Sequence, residues 1–118
     1  DAIQATPGDS FKEGMCRARQ GLVQQTGIDR PWIVAKTTIH PAYSDQPAQE
    51  AEIRRAVAEL WMEPGFVPGP DTDALTGLGV HRADDDHGGH FTGLGQRRAA
   101  ALWFAAIWAA LAAGVQHR

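Results

Sequence analysis

The run Pro31-Trp32-Ile33-Val34-Ala35-Lys36-Thr37-Thr38 decides how the rest of the chain is read. Its aromatic and β-branched residues predict a strand from Trp32 toward Thr37-Thr38, with Pro31 setting the start and Pro41 ending the extended part. The flanking segments have a different period. Upstream, Phe11, Met15, Ala18 and Leu22 recur at helical spacing. Asp9 or Ser10 can cap that helix and Gly27 can stop it, which predicts a helix over 9–26. Downstream, Ile53, Val57, Leu60 and Trp61 form an apolar face, whereas Glu50, Glu52, Arg54, Arg55 and Glu59 mostly suit solvent. This second helix starts between Ser44 and Ala48 and runs to Trp61. Phe66-Val67 is expected as a short strand before a Gly69-Pro70 turn. A final helix begins at or just after Thr92 and ends near Gly114.

The order α-β-α-β-loop-α is the rhythm of a layered α/β domain with a parallel sheet. Two strands alone would expose edges and bury little surface. Residues 1–118 are therefore read as the C-terminal portion of one larger domain, whose other strands lie in a missing N-terminal segment or a separate chain. The hydrophobic content of 43% is ordinary, and a net charge of −3 gives no reason to expect a polyanion. Without a basic patch interleaved with aromatics, nucleic acid is not an expected partner. Cys16 is the only cysteine, so an internal disulfide and a thiol metal cluster are both excluded, and a buried structural thiol is expected. Residues 99–115 carry no charge, yet they are short for a span, mostly alanine, and preceded by Arg97-Arg98. The spacing of Trp103, Ile107 and Leu111 predicts a packed helix, and no membrane is expected. A soluble protein follows, with cytoplasmic and exported forms both compatible.

The chemistry is concentrated in Asp86-His87-Gly88-Gly89-His90-Phe91-Thr92-Gly93-Leu94-Gly95, where imidazoles and acids precede the apolar helix. A hydrolase could keep its general base there, because a neutral imidazole accepts a hydroxyl proton and returns it to the leaving group. His90 is the first candidate base and Asp86 its first candidate acid. Asp84 and His87 are the alternates. His81, Asp84, Asp85, Asp86, His87 and His90 could instead surround a divalent metal, but no compact cysteine or His-Glu-x-x-His pattern accompanies them. A triad requires no metal, and no cofactor is expected. Arg82 can contact an acidic substrate or anchor the acidic loop, and Thr38 and His40 follow a strand as candidate pocket residues. Asp71 and Asp73 are expected to brace the loop instead of transferring protons.

Together with Gly69-Pro70-Asp71-Thr72-Asp73, the run His90-Phe91-Thr92-Gly93-Leu94-Gly95 resembles the C-terminal part of GDSL/SGNH-type serine esterases. The similarity is closest to the carbohydrate and sialate O-acetylesterase-like branch, and it covers residues 13–115 in order of elements. In that family a His-Phe-Ser/Thr-x-x-Gly run carries the catalytic histidine, with an acid usually three residues before it. Here that position is His87, and Asp86 stands four before His90. The family's nucleophile often lies in Gly-Asp-Ser after an apolar first strand. Ser10 follows those letters, but residues 1–6 are too short and polar for such a strand, so Ser10 is expected to be a helix cap.

The resemblance implies a three-layer α/β/α sandwich and serine-dependent hydrolysis of short-chain esters, with O-acetyl groups on carbohydrates as one substrate class. It further implies that His90 and Asp86 serve a serine and oxyanion donors located outside these residues. A noncatalytic carbohydrate-binding or interaction fragment is the alternative, with Trp32, Trp61, Trp103 and Trp108 as possible stacking groups. The helical positions of the last three favour the core. A small metalloprotein built on the histidine–aspartate loop is the lesser alternative.

Overall fold

The structure is a computed structural model that describes residues 6–39, 47–84 and 89–116. Helix α1 spans Gly8–Thr26, strand β1 Trp32–Lys36, helix α2 Pro47–Leu60, strand β2 Phe66–Asp71 and helix α3 Gly93–Gln116. A short 3-10 turn, Thr72–Ala74, follows β2. The mixed α/β order matches the expected rhythm.

Helix α1 ends at Gly27, whose φ of 70° is the left-handed conformation that glycine adopts without strain, and whose N–H donates to the Val23 carbonyl. Its start differs from expectation. Pro7 occupies the cap position, no side chain caps the helix, and Asp9 and Ser10 lie inside the first turn. The Gly8 N–H donates instead to Glu52 Oε1 at 3.1 Å, so a contact with α2 replaces the local cap.

Strands β1 and β2 pair in parallel, with Trp32 opposite Phe66, Ile33 opposite Val67 and Val34 opposite Pro68. Helix α2 is the crossover between them. The second strand runs through Gly69-Pro70 to Asp71, where a turn was expected. Gly69 permits this, since a Cβ there would sit 2.6 Å from the Val34 carbonyl carbon and oxygen. Glycine here serves close strand pairing, not chain reversal.

The core joins Val34, Ile53, Val57, Leu60 and Phe66, with Phe11, Met15, Cys16, Trp32 and Trp61 packed around it. Leu60 and Val57 are the largest side chains fully enclosed. Cys16 is a free, half-buried thiol. Trp32 meets Phe66 edge-on at 6.1 Å, and the Trp61 indole donates to the Val34 carbonyl at 2.7 Å. This bond satisfies the one polar atom that Trp61 brings to the core.

Val34 belongs to the α2 core, whereas its neighbour Ile33 lines a groove with Ile107 of α3. Alternate strand residues face opposite sides, so α2 and α3 cover opposite faces of the sheet. Helix α3 lies mainly along β2 through a face of mostly small residues: Gly95 and Ala99 are buried, Leu102, Ala106 and Ala110 half-buried. The rest of its circumference departs from the expected core packing. Trp103, Phe104, Ile107, Trp108 and Leu111 are exposed, Phe104 by 69% and Trp108 by 65%. The rings of Phe104 and Trp108 stack with centroids 6.3 Å apart. The aromatic Phe104 and Trp108 thus face outward while mostly glycine and alanine meet the sheet. Among the described residues, no helix is long and apolar enough to cross a membrane.

Candidate functional site

The C-terminal ends of the two strands are tied by one carboxylate. Asp73 Oδ1 accepts the Thr38 N–H at 2.8 Å and the Ile39 N–H at 3.1 Å, while Oδ2 accepts the Thr38 hydroxyl at 2.6 Å. Arg54 adds a fourth bond to Asp73 at 2.8 Å and grips Asp71 with two bonds of 2.8 and 2.6 Å. Burial raises the Asp73 pKa as the largest single influence, but the bonds from Thr38, Ile39 and Arg54 together hold it below the usual carboxylate range. The Arg54 bond likewise lowers Asp71. Glu50 moves the other way, pushed up by burial and then by Asp73. Asp71 also accepts the Asp73 N–H, which shapes the turn leaving β2. Both aspartates therefore brace the strand ends, as expected. Thr38 is buried and its hydroxyl donates to Asp73, which makes it part of the brace between the strand ends.

The described parts of the loop after β2, 75–84 and 89–92, are organised around Arg82. Only 5% exposed, Arg82 donates from Nε to the Leu75 carbonyl at 2.8 Å and from a terminal nitrogen to the Thr72 carbonyl at 2.9 Å. Its guanidinium lies 4.2 Å from the centre of the Phe91 ring. Burial lowers its pKa, although a guanidinium stays charged. Arg82 thus anchors the turn that leaves β2, with Nε and one terminal nitrogen on the Leu75 and Thr72 carbonyls.

The anchor reaches His90 through the backbone. Arg82 and Phe91 form an antiparallel bridge, and the His90 carbonyl accepts the Ala83 N–H at 2.8 Å. Thr92 then caps α3: its hydroxyl accepts the Gly95 N–H at 3.0 Å and donates to the Val80 carbonyl. The Thr92 N–H donates to the His81 carbonyl at 3.0 Å. His81 is held at both ring nitrogens, Nδ1 against the Thr76 carbonyl at 2.7 Å and Nε2 against Arg98 at 2.6 Å. Arginine can only donate, so these partners assign the proton to Nδ1. His90 itself is exposed, at the rim of this braced loop. The loop lies beyond the C-terminal end of β2, the side on which open α/β sheets place ligands.

Asp84 is exposed near the end of the described part of the loop, and Ser10 is exposed in the first turn of α1. Asp86, His87, His40 and Ser44 lie outside the described residues. Among the described residues, no group of three His, Cys, Asp or Glu side chains is arranged to hold a metal ion. Two contributors escape the sequence reading. Arg54, assigned there to solvent, is half-buried against Asp71 and Asp73. Its position one turn before Val57, at the edge of the apolar face, and the need of two close aspartates for a cation are the signals that could have found it. Arg98 carries no comparable signal, since its pairing with His81 arises only when the loop folds back on α3. The chain matches no protein-family model, no curated protein and no solved structure.

Proposed function

We propose that this chain supplies the general base of a serine-dependent esterase whose nucleophile lies outside these residues. The observation that carries the reading is the exposed His90 on a loop braced by Arg82, Phe91 and Thr92 beyond the strand ends. A general base must present its imidazole to another group while its backbone stays fixed, and this loop combines the two. His90 would take the proton from a serine hydroxyl as that oxygen attacks the ester carbonyl. It would return the proton to the departing alcohol, leaving an acyl-serine that water then hydrolyses by the same route in reverse. Asp86 is the proposed orienting acid, with Asp84 the alternate and Asp84–His87 the alternate pair. The resemblance of the His90–Gly95 run to carbohydrate and sialate O-acetylesterases supports a short acyl group on a carbohydrate hydroxyl. The mechanism needs no cofactor.

A completed polypeptide that restores the serine-bearing part should hydrolyse p-nitrophenyl acetate and lose that activity to a fluorophosphonate, whereas the 118-residue chain has little activity. Robust hydrolysis by the rigorously purified 118-residue chain, abolished by Ser10→Ala, would overturn the division of labour.

One observation favours a second reading. The stacked, exposed Phe104 and Trp108 beside Trp103 are the aromatic surface that a carbohydrate-binding or interaction fragment would use. Saturable binding of acetylated oligosaccharides, lost in Trp108→Ala and indifferent to His90→Ala, would favour it over the esterase.

A further inference from the structure

The two edges of the sheet are chemically unlike. The Trp32 N–H donates to the Gly65 carbonyl at 2.9 Å with Trp32 opposite Phe66, and this fixes which residues point where. In a parallel ladder the backbone groups of alternate residues turn toward the same neighbour. Val67 and Gly69 therefore face β1, while Phe66 and Pro68 face away. The Phe66 N–H is already bonded to the Glu63 carbonyl, and Pro68 and Pro70 have no N–H. From Phe66 to Pro70, before the ladder shifts register between Val34 and Lys36, the outer edge of β2 offers no donor to another strand. On β1 the same alternation turns Trp32 and Val34 toward β2 and leaves the N–H and C=O groups of Ile33 and Ala35 pointing outward. No proline interrupts β1 itself.

Beside the start of β1 runs a groove of about 550 Å³ lined by Arg30, Pro31, Ile33, Ile107, Leu111 and Gly114. Ile107 and Leu111 are exposed there, on the apolar side of α3. Along the regular part of the ladder the sheet is thus open to pairing on the β1 side only, and on that side an apolar helix flanks it.

Helix α1 indicates what fills the position. Gly8 bonds Glu52, and Lys12 reaches Glu59 and Glu63, so α1 and α2 lie side by side and point the same way. Both pack on the core face that holds Val34 and Phe66. Each leads through a short connection into a parallel strand, 27–31 into β1 and 61–65 into β2. A strand–helix–strand crossover is almost invariably right-handed. If α1 repeats the hand of β1–α2–β2, a strand feeding its N-terminal end arrives beside β1, on the side away from β2.

We propose that the outer edge of β1 takes one further parallel strand, the strand that feeds α1, and that β2 is the terminal strand of the sheet. The strand would pair with Ile33 and Ala35 and rest one apolar face on Ile107 and Leu111. This deepens the esterase reading by naming where the serine-bearing part joins, and for that identity alone it rests on that reading. A second copy is not the proposed occupant, because two-fold pairing of β1 with itself would be antiparallel.

Residue-resolved hydrogen exchange on the completed polypeptide, with its mass measured by light scattering, tests the proposal. The Ile33 and Ala35 amides should exchange as slowly as those of Val67 and Gly69, about a hundredfold or more below unprotected amides, in a monomer. Fast exchange at Ile33 and Ala35 would overturn it. So would protection that appears only with a doubled mass, which identifies a second copy, or protection already complete in a monomeric 118-residue chain. Neither readout uses ester hydrolysis: a protected edge in an inactive protein refutes the esterase alone, and an open edge in an active one refutes the strand alone.

Discussion

The Arg82 guanidinium lies against the Phe91 ring, 4.2 Å from its centre, while its nitrogens close on the Thr72 and Leu75 carbonyls. One buried side chain thereby joins the end of β2 to the residue that follows His90. Arg82→Met keeps much of the packing but removes both donors, leaving two inward carbonyls unsatisfied. It should cost about 2–3 kcal/mol of stability. Arg82→Lys should recover part of that, since an ammonium can reach one carbonyl but lacks the planar fork. Chemical denaturation of the three proteins checks the order, and equal midpoints would show that the loop is held by other means.

Gly95 supports the same loop from the helix side. A Cβ at this position would fall on the His81 carbonyl oxygen, the acceptor of the Thr92 N–H. Gly95→Ala should cost about 1–3 kcal/mol, the usual penalty of overpacking, and increase hydrogen exchange at Thr92. Gly79→Ala is not a neutral control, because Gly79 has a φ of 74°. Gly21→Ala is the clash-free comparison: no heavy atom lies within 4 Å of its added Cβ, and the helix should gain up to about 1 kcal/mol from alanine. Equal stability of Gly95→Ala and wild type would contradict the close approach.

The strand arrangement is legible in the sequence where burial enforces a period. Trp32 to Lys36 and the Ile53–Val57–Leu60 face are readable because each presents one side to a dry core. Gly69-Pro70 misleads, since the pair that makes turns in isolation here lets two strands approach. Trp103 and Trp108 mislead for a different reason. Helical spacing identifies an apolar face, but α3 is apolar nearly all round, and the side that meets the sheet is the one richest in glycine and alanine. The Asp73 network is half legible: the bracing aspartates are readable from their turn context, while Arg54 and Thr38 arrive from 19 and 35 residues away through tertiary contact.

Asp73 makes stability depend on pH. Its folded pKa and that of Asp71 lie below the usual value, which is about 3.9 for an unfolded aspartate. Their contribution is therefore fully present above about pH 4 and is lost as pH falls through the depressed folded values. Glu50, with a raised folded pKa, acts oppositely and slightly favours the fold once protonated. Asp73→Asn should lose about 2 kcal/mol at neutral pH and show a shallower decline in acid than wild type. Parallel acid-unfolding curves for the two proteins would remove Asp73 from the account.

Turnover of a short-chain ester by the completed polypeptide tests the proposed role of His90 most directly. His90→Ala should lower kcat by about a hundredfold to ten-thousandfold with an unchanged circular dichroism spectrum and melting temperature. Compared under identical conditions, His87→Ala, Asp84→Asn and Asp86→Asn should identify the partner acid, with Asp86→Asn the most damaging of the three. A folded His90→Ala protein that keeps wild-type turnover would contradict the assignment of His90 as the base.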